Sequence, residues 1–175
     1  MTAETLRTRT CRLWNERRPE VDTSPMEVVA QVKRITSLLE LAVEPIYREA
    51  GVTSSEVELL VPLRHTEEPV TAIRLAELLG MTRAGVSKTL AKMERRNLIV
   101  RVTNPADRRS SLIKTTVEGN RIVDDVFPRE LEAHGNLFAG LGEERRAVLD
   151  ALDRLAVTME TRLDVAARAV NPPVM

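Results

Sequence analysis

The sequence predicts a mainly α-helical fold: a winged helix–turn–helix carried between long N- and C-terminal dimerisation helices. Three observations predict it. Helix start signals followed by apolar residues at 3.6-residue spacing recur between Ser24 and Ala169. Two helical patterns are joined by a tight turn at Leu79-Gly80-Met81. Two short runs rich in β-branched residues then flank a polar knot, "NPADRR", which reads as a hairpin tipped by Arg108 and Arg109.

The elements follow in order. Ser24-Pro25-Met26-Glu27 places Ser at an N-cap, Pro at the first helical position and Glu at N3. The helix it opens is expected to reach about Ala50 and stop at Gly51. Val28, Val32, Ile35, Leu39, Ala42 and Ile46 form its apolar stripe, and Pro45 is expected to kink or shorten it. Thr53-Ser54-Ser55-Glu56 is a second capping box, opening a helix with Val57, Leu60, Val61 and Leu63 that ends near Arg64. Glu67-Glu68-Pro69 reads as a loop. Thr71 caps a short helix from Ala72 to Leu79, stopped by Gly80. The next helix runs from about Arg83 to Arg96, with Val86, Leu90 and Met93 on its buried side. Asn97 suits a left-handed stop. Leu98–Thr103 and Ser110–Lys114 are the hairpin strands. Thr115-Thr116-Val117-Glu118 is a third capping box, and its helix reaches about Phe138 with an expected kink at Pro128. Gly140 and Gly142 separate it from a last helix, Glu143 to about Ala169, striped by Val148, Leu152, Leu155, Met159 and Leu163. The tail "NPPVM" cannot be helical. Within one structural domain, residues 1–52 are read as an extra helix and the first dimerisation helix. Residues 53–114 are read as the winged lobe, and 115–175 as the C-terminal dimerisation helices.

Composition narrows the function. The formal charge is zero, but it is unevenly spread. Between Thr82 and Arg121 stand ten Lys and Arg against three acids, so this segment is strongly cationic and the remainder anionic. One Trp, one Tyr and two Phe leave no aromatic platform for stacking unpaired bases, which points to duplex DNA over single strands. No apolar stretch approaches the roughly 18 residues that cross a bilayer. No apolar segment follows the N-terminal basic residues, and Cys11 is the only cysteine. A cytoplasmic location is therefore expected.

In a helix–turn–helix the second helix enters the major groove with its N-terminal residues on base edges. Here those are Thr82, Arg83, Ala84, Ser87 and Lys88, with Lys92 a turn further on. Ser and Thr donate or accept, and Arg and Lys pair with guanine. Gly85 removes bulk where the backbone nears DNA. Arg108 and Arg109 at the hairpin tip suit the negative potential of the minor groove. Asp107 is expected to pair with a nearby Arg and hold the tip in shape.

The run "LAELLGMTRAGVSKTLAKMERRNLIVRVTNPADRRSSLIKTTVEG" resembles the MarR family of winged-helix regulators. The matching wing positions are Asp107, Arg109, Thr116 and Gly119, and Asn97 stands where that family usually has Gly. Upstream, "LWNERRPEVDTSPM" is similar to the extra segment of the urate-responsive PecS/UrtR branch. Trp14, Arg18, Pro19, Glu20, Asp22, Pro25 and Met26 are in register with it. The resemblance implies a homodimer on a pseudo-palindromic operator. It also implies a repressor released by a small anionic metabolite bound by Trp14, Glu58 and Lys88. Lys88 and Glu58 stand where the branch has Arg and Asp, so charge is kept and the bidentate fork is lost. The implied anion is therefore as readily a carboxylate or another aromatic anion as urate. Trp14 alternatively anchors the N-terminal helix to the core.

Other readings are weaker. Cys11, between Arg9 and Arg12, suggests a redox-sensing thiol but has no resolving partner in the chain. A ligand-independent regulator, or a winged helix used only for protein contacts, is also compatible. Two distant histidines, one cysteine and no phosphate loop or nucleophile motif speak against an enzyme and against a metal or cofactor. His65 reads as a helix C-terminal cap.

Overall fold

The computed structural model describes residues 6–66 and 68–170. In chain order the elements are α1 (Leu6–Arg17), α2 (Pro25–Glu49), α3 (Ser54–His65), β1 (Val70–Thr71), α4 (Ala72–Leu78) and α5 (Arg83–Arg95). They continue with β2 (Ile99–Thr103), β3 (Ser111–Thr115), α6 (Val117–Phe138), a 3-10 turn (Ala139–Glu144) and α7 (Arg145–Val170). Two compact units result, Met1–His134 and Gly135–Met175. The tail expected to be non-helical lies outside the described residues.

The first unit holds the core. Leu59 and Leu60 of α3, Leu75 of α4, Val86, Leu90 and Met93 of α5, Leu98, Ile99, Ile113 and Val126 are all fully buried. Burying such a side chain is worth about 1.5–3 kcal/mol relative to exposure, so this cluster fixes α3, α4 and α5 against the sheet. The sheet has order β1-β3-β2. β2 and β3 form the expected antiparallel hairpin, with Arg101 opposite Ile113 and Thr103 opposite Ser111. β1 was not legible in the sequence. Its two residues pair Val70 with Ile113 and Thr71 with Leu112, a tertiary pairing with no local signal.

Local chemistry explains most boundaries. Gly51, Gly80 and Asn97 all adopt positive φ, at 66°, 62° and 56°, and end α2, α4 and α5 as expected. Thr53 and Glu56 form the second capping box: Thr53 N and Oγ1 both donate to Glu56 Oε2, at 2.8 and 3.0 Å. The other two boxes differ. Ser24 has helical dihedrals and makes no side-chain cap; its N–H donates to Asp22 Oδ1 instead. The chain is already turning at Thr23, whose carbonyl accepts from Met26. At α6 the cap is Thr116, not Thr115, because pairing with Ile99 keeps Thr115 in β3. Thr116 Oγ1 accepts from Gly119 N at 3.0 Å and donates to Asn97 O at 2.6 Å, while Glu118 pairs with Arg121. α2 reaches Glu49, so Pro45 does not shorten it, and α6 likewise runs through Pro128.

One backbone approach is unusually close. A Cβ placed on Gly119 would stand 2.1 Å from the carbonyl oxygen of Leu98. Only glycine lets the first turn of α6 lie on the start of β2, and so seats the hairpin.

In the second unit, Gly142 turns the chain at φ 49° and α7 follows. Its Leu149, Leu152, Val157, Met159 and Leu163 are all exposed.

Candidate nucleic-acid interface

The turn between α4 and α5 is held by Met81 N donating to Ala76 O at 2.9 Å. Thr82 then caps α5, its Oγ1 accepting from Gly85 N at 3.2 Å. A Cβ on Gly85 would stand 2.9 Å from that oxygen, so this glycine serves the cap. The cap is a role for Gly85 beyond the close approach to DNA that the sequence alone suggests. Val86, Leu90 and Met93 turn one face of α5 fully inward. Thr82, Arg83, Ala84, Ser87 and Lys88 are thereby left on the exposed face, as a groove-reading helix requires.

The cations along α5 are not equivalent. Arg83 lies 3.6 Å from Glu77 of α4, with its side chain 71 % exposed. Lys88 has no ionic partner among the described residues. Lys92 Nζ lies 3.5 Å from Glu56 Oε1. Arg96, just past α5, donates to Glu56 Oε1 and to Gly51 O, both at 2.6 Å. Glu56 itself is fully buried. Burial pushes its carboxyl pKa up, but hydrogen bonds from Arg96 and Thr53 outweigh that and hold it below the ordinary value. The sequence marked Glu56 only as a cap; nothing local signals a partner forty residues away.

The wing is braced from within. Arg101 of β2 bridges to Glu94 at 3.0 Å and to Ser111 Oγ at 3.2 Å. Asn104 donates to Ser110 Oγ at 2.8 Å and accepts from Ala106 N at 3.0 Å. Asp107 Oδ1 accepts from Arg109 N at 3.0 Å, and its carbonyl accepts from Ser110 N. Asp107 therefore shapes the tip through backbone N–H groups and not through an arginine head, because an Asx-type bond two residues on is shorter than any reach to a guanidinium. The heads of Arg108 and Arg109 are left exposed, without an ionic partner among the described residues.

The three residues assigned to a ligand are not gathered in one described pocket. Glu58 lines a groove of about 350 Å³ formed by α2, α3 and α6. Its floor includes Val43, Tyr47, Val57 and Phe127, and Glu40, Glu130 and His134 share its rim. The Tyr47 hydroxyl lies by the Glu130 carboxylate. Burial first, then the charges of Glu130 and Glu58, push the phenol well above its usual range, so it stays a neutral donor. Trp14 lines a separate hollow on α1 with Leu13, Arg17 and Arg18, and Lys88 lines neither. Trp14 is 54 % exposed and lies outside the buried core, on a helix that packs along α2. Cys11 on α1 is partly buried. His65 ends α3 with its ring 6.3 Å from that of Phe127. Among the described residues no cluster suits a metal, and no helix is long and apolar enough to cross a membrane.

Residues 50–110, which span the helix–turn–helix and most of the wing, match the description "MarR family". This winged-helix segment is similar to the MarR family. The chain is 24 % identical to the HTH-type transcriptional regulator PecS of Dickeya dadantii over 141 residues, covering 79 % of this chain and 85 % of PecS. The PcaV transcriptional regulator of Streptomyces coelicolor, solved with its natural ligand, superposes with a TM-score of 0.63 at 25 % identity. That match covers 79 % of this chain and 96 % of PcaV. MepR of S. aureus, solved with DNA, shares the fold with a TM-score of 0.68 at 22 % identity, over 75 % of this chain and 96 % of MepR. The helix–turn–helix and the hairpin of this lobe lie where the sequence places them. The proteins it is similar to are MarR-type, DNA-binding transcriptional regulators.

Proposed function

We propose that this chain acts as a homodimeric repressor of a pseudo-palindromic operator, released by a small aromatic ligand. One observation carries the DNA reading: Lys88, Arg108 and Arg109 project from one recognition helix and one wing tip with no ionic partner among the described residues. Thr82, Arg83, Ala84 and Ser87 stand beside Lys88 to meet base edges in the major groove, and the two wing arginines take the minor groove. The apolar residues exposed along α2 and α7 support pairing with a second copy. Pairing would set two recognition helices about one DNA turn apart. The test is enrichment of duplexes from a random pool, followed by binding at rising salt. A palindromic motif and a steep salt dependence are expected; no retention of any duplex at low salt would sink the reading.

The effector is proposed for the groove beside Glu58. Sequence resemblance points to an anion held by Trp14, Glu58 and Lys88. The rim carboxylates Glu40, Glu58 and Glu130 instead favour a molecule that donates hydrogen bonds or carries positive charge. Thermal-shift titration with benzoate-type anions and with aromatic amines separates the two. A ligand can release DNA only by its differential affinity for the free and bound spacings of the lobes.

A further inference from the structure

Four polar groups from three places in the chain converge on one buried carboxylate. Glu56, in the first turn of α3, has no exposed surface. Oε2 takes Thr53 N and Oγ1. Oε1 takes Arg96 Nη1 at 2.6 Å and faces Lys92 Nζ at 3.5 Å. The second arm of Arg96 reaches Gly51 O, in the turn that ends α2. A buried carboxylate is tolerated only when its charge and lone pairs are met, so this geometry is self-enforcing. It ties the end of α2, the start of α3 and the C-terminal end of α5 at a single point.

The consequence for α5 is a contrast between two lysines one turn apart. Lys88 is exposed, with no ionic partner among the described residues. Lys92 has its ammonium turned to Glu56, with 46 % of its side chain exposed. A lysine that neutralises a buried carboxylate is not available to neutralise a phosphate without stranding that carboxylate.

We infer that Glu56 is a positioning residue for DNA recognition: it pins the C-terminal end of α5 to the α2–α3 turn and withholds Lys92 from the DNA backbone. Lys88 is then the cation of α5 left to meet the DNA backbone, while Arg108 and Arg109 keep the minor groove. The assignment rests on the DNA-binding reading and deepens it.

The test uses the full chain and duplexes enriched by the wild-type protein from a random pool. The slope of log affinity against log salt is measured for wild type, Lys88→Ala, Lys92→Ala and Glu56→Gln. Each phosphate contact contributes about 0.9 to that slope. Lys88→Ala is expected to lower it by about 0.9 per bound chain, and Lys92→Ala to leave it unchanged. Glu56→Gln is expected to steepen it by about 0.9 as Lys92 is freed, and to reduce preference for the enriched duplex over an unrelated one about tenfold. A purely structural role for Glu56 would not steepen a salt slope. The assignment is overturned if Lys92→Ala loses about 0.9 in slope. It is equally overturned if a Glu56→Gln protein with wild-type circular dichroism keeps the wild-type slope and preference. Should Glu56→Gln fail to fold, Lys92→Ala decides alone. A wild-type chain that holds no duplex at low salt removes the DNA-binding reading itself, a result distinct from any pattern of slopes.

Discussion

Asp107 shows how a single side chain shapes a loop whose work is done by its neighbours. Its carboxylate accepts from the backbone of Arg109 and so presents the arginine heads without touching them. Asp107→Ala should weaken DNA binding severalfold with unchanged base preference. Asp107→Asn should keep most of the affinity, because an amide oxygen accepts the same bond. Fluorescence anisotropy on one enriched duplex checks both, and equal losses in the two variants would contradict the backbone role. Glu56 makes a second prediction, about acid stability. Its pKa is lowered on folding, so the stabilisation is complete above the ordinary glutamate range and lost as pH falls through the depressed folded value. Unfolding free energies from urea titrations of wild type and Glu56→Gln should therefore differ at neutral pH, by about 1–3 kcal/mol, and converge in acid. A gap that widened as pH fell would reverse the assigned sign.

Elements here are joined by backbone as much as by side chains. Gly119 sits where α6 crosses the start of β2, and its missing Cβ leaves room for the Leu98 carbonyl. Gly119→Ala must push one element off the other, at a cost of about 1–3 kcal/mol by overpacking. Chemical denaturation should show the loss, and the wing should exchange its amide protons faster as Thr116 loses its seat. Retained stability would mean that α6 is not held at this crossing. The same elements show what was legible in advance. Helices α2 to α6 and the β2–β3 hairpin could be read because caps, positive-φ residues and apolar periodicity are local signals. β1 could not be read, because two residues have no period and are strands only by pairing with β3. Thr115 was misread as a cap for the same reason: its strand partner, Ile99, is distant in sequence.

At the scale of the whole molecule, the largest unsatisfied feature is apolar surface. Val28, Val32, Ile35, Leu38 and Leu41 of α2 are between 42 % and 62 % exposed. A chain that leaves such a face open is soluble only when something covers it, and a second copy is the occupant proposed above. Ile35→Glu places a charge on that face without touching the core. It should leave the fold intact by circular dichroism, produce monomers in analytical ultracentrifugation at micromolar concentration, and weaken operator binding at least tenfold. A dimer that survived the charge would exclude this part of α2 from the interface. Electrostatics at this scale is likewise a matter of distribution: a chain with zero formal charge concentrates its cations between Thr82 and Arg121, on the lobe that meets the polyanion.

The sequence by itself determined the helical order, the helix–turn–helix, the hairpin and the segregation of positive charge, because each is written in spacings shorter than about ten residues. Tertiary structure alone decided which of those charges are free. Lys88 and Lys92 are indistinguishable in a helical pattern, and only the packing of α3 against α5 brings the buried Glu56 to one and not the other. It also set Trp14 and Glu58 in separate hollows, one on α1 and one between α2, α3 and α6. Charge and size are properties of residues, whereas partners and enclosure depend on distances that chain order does not encode.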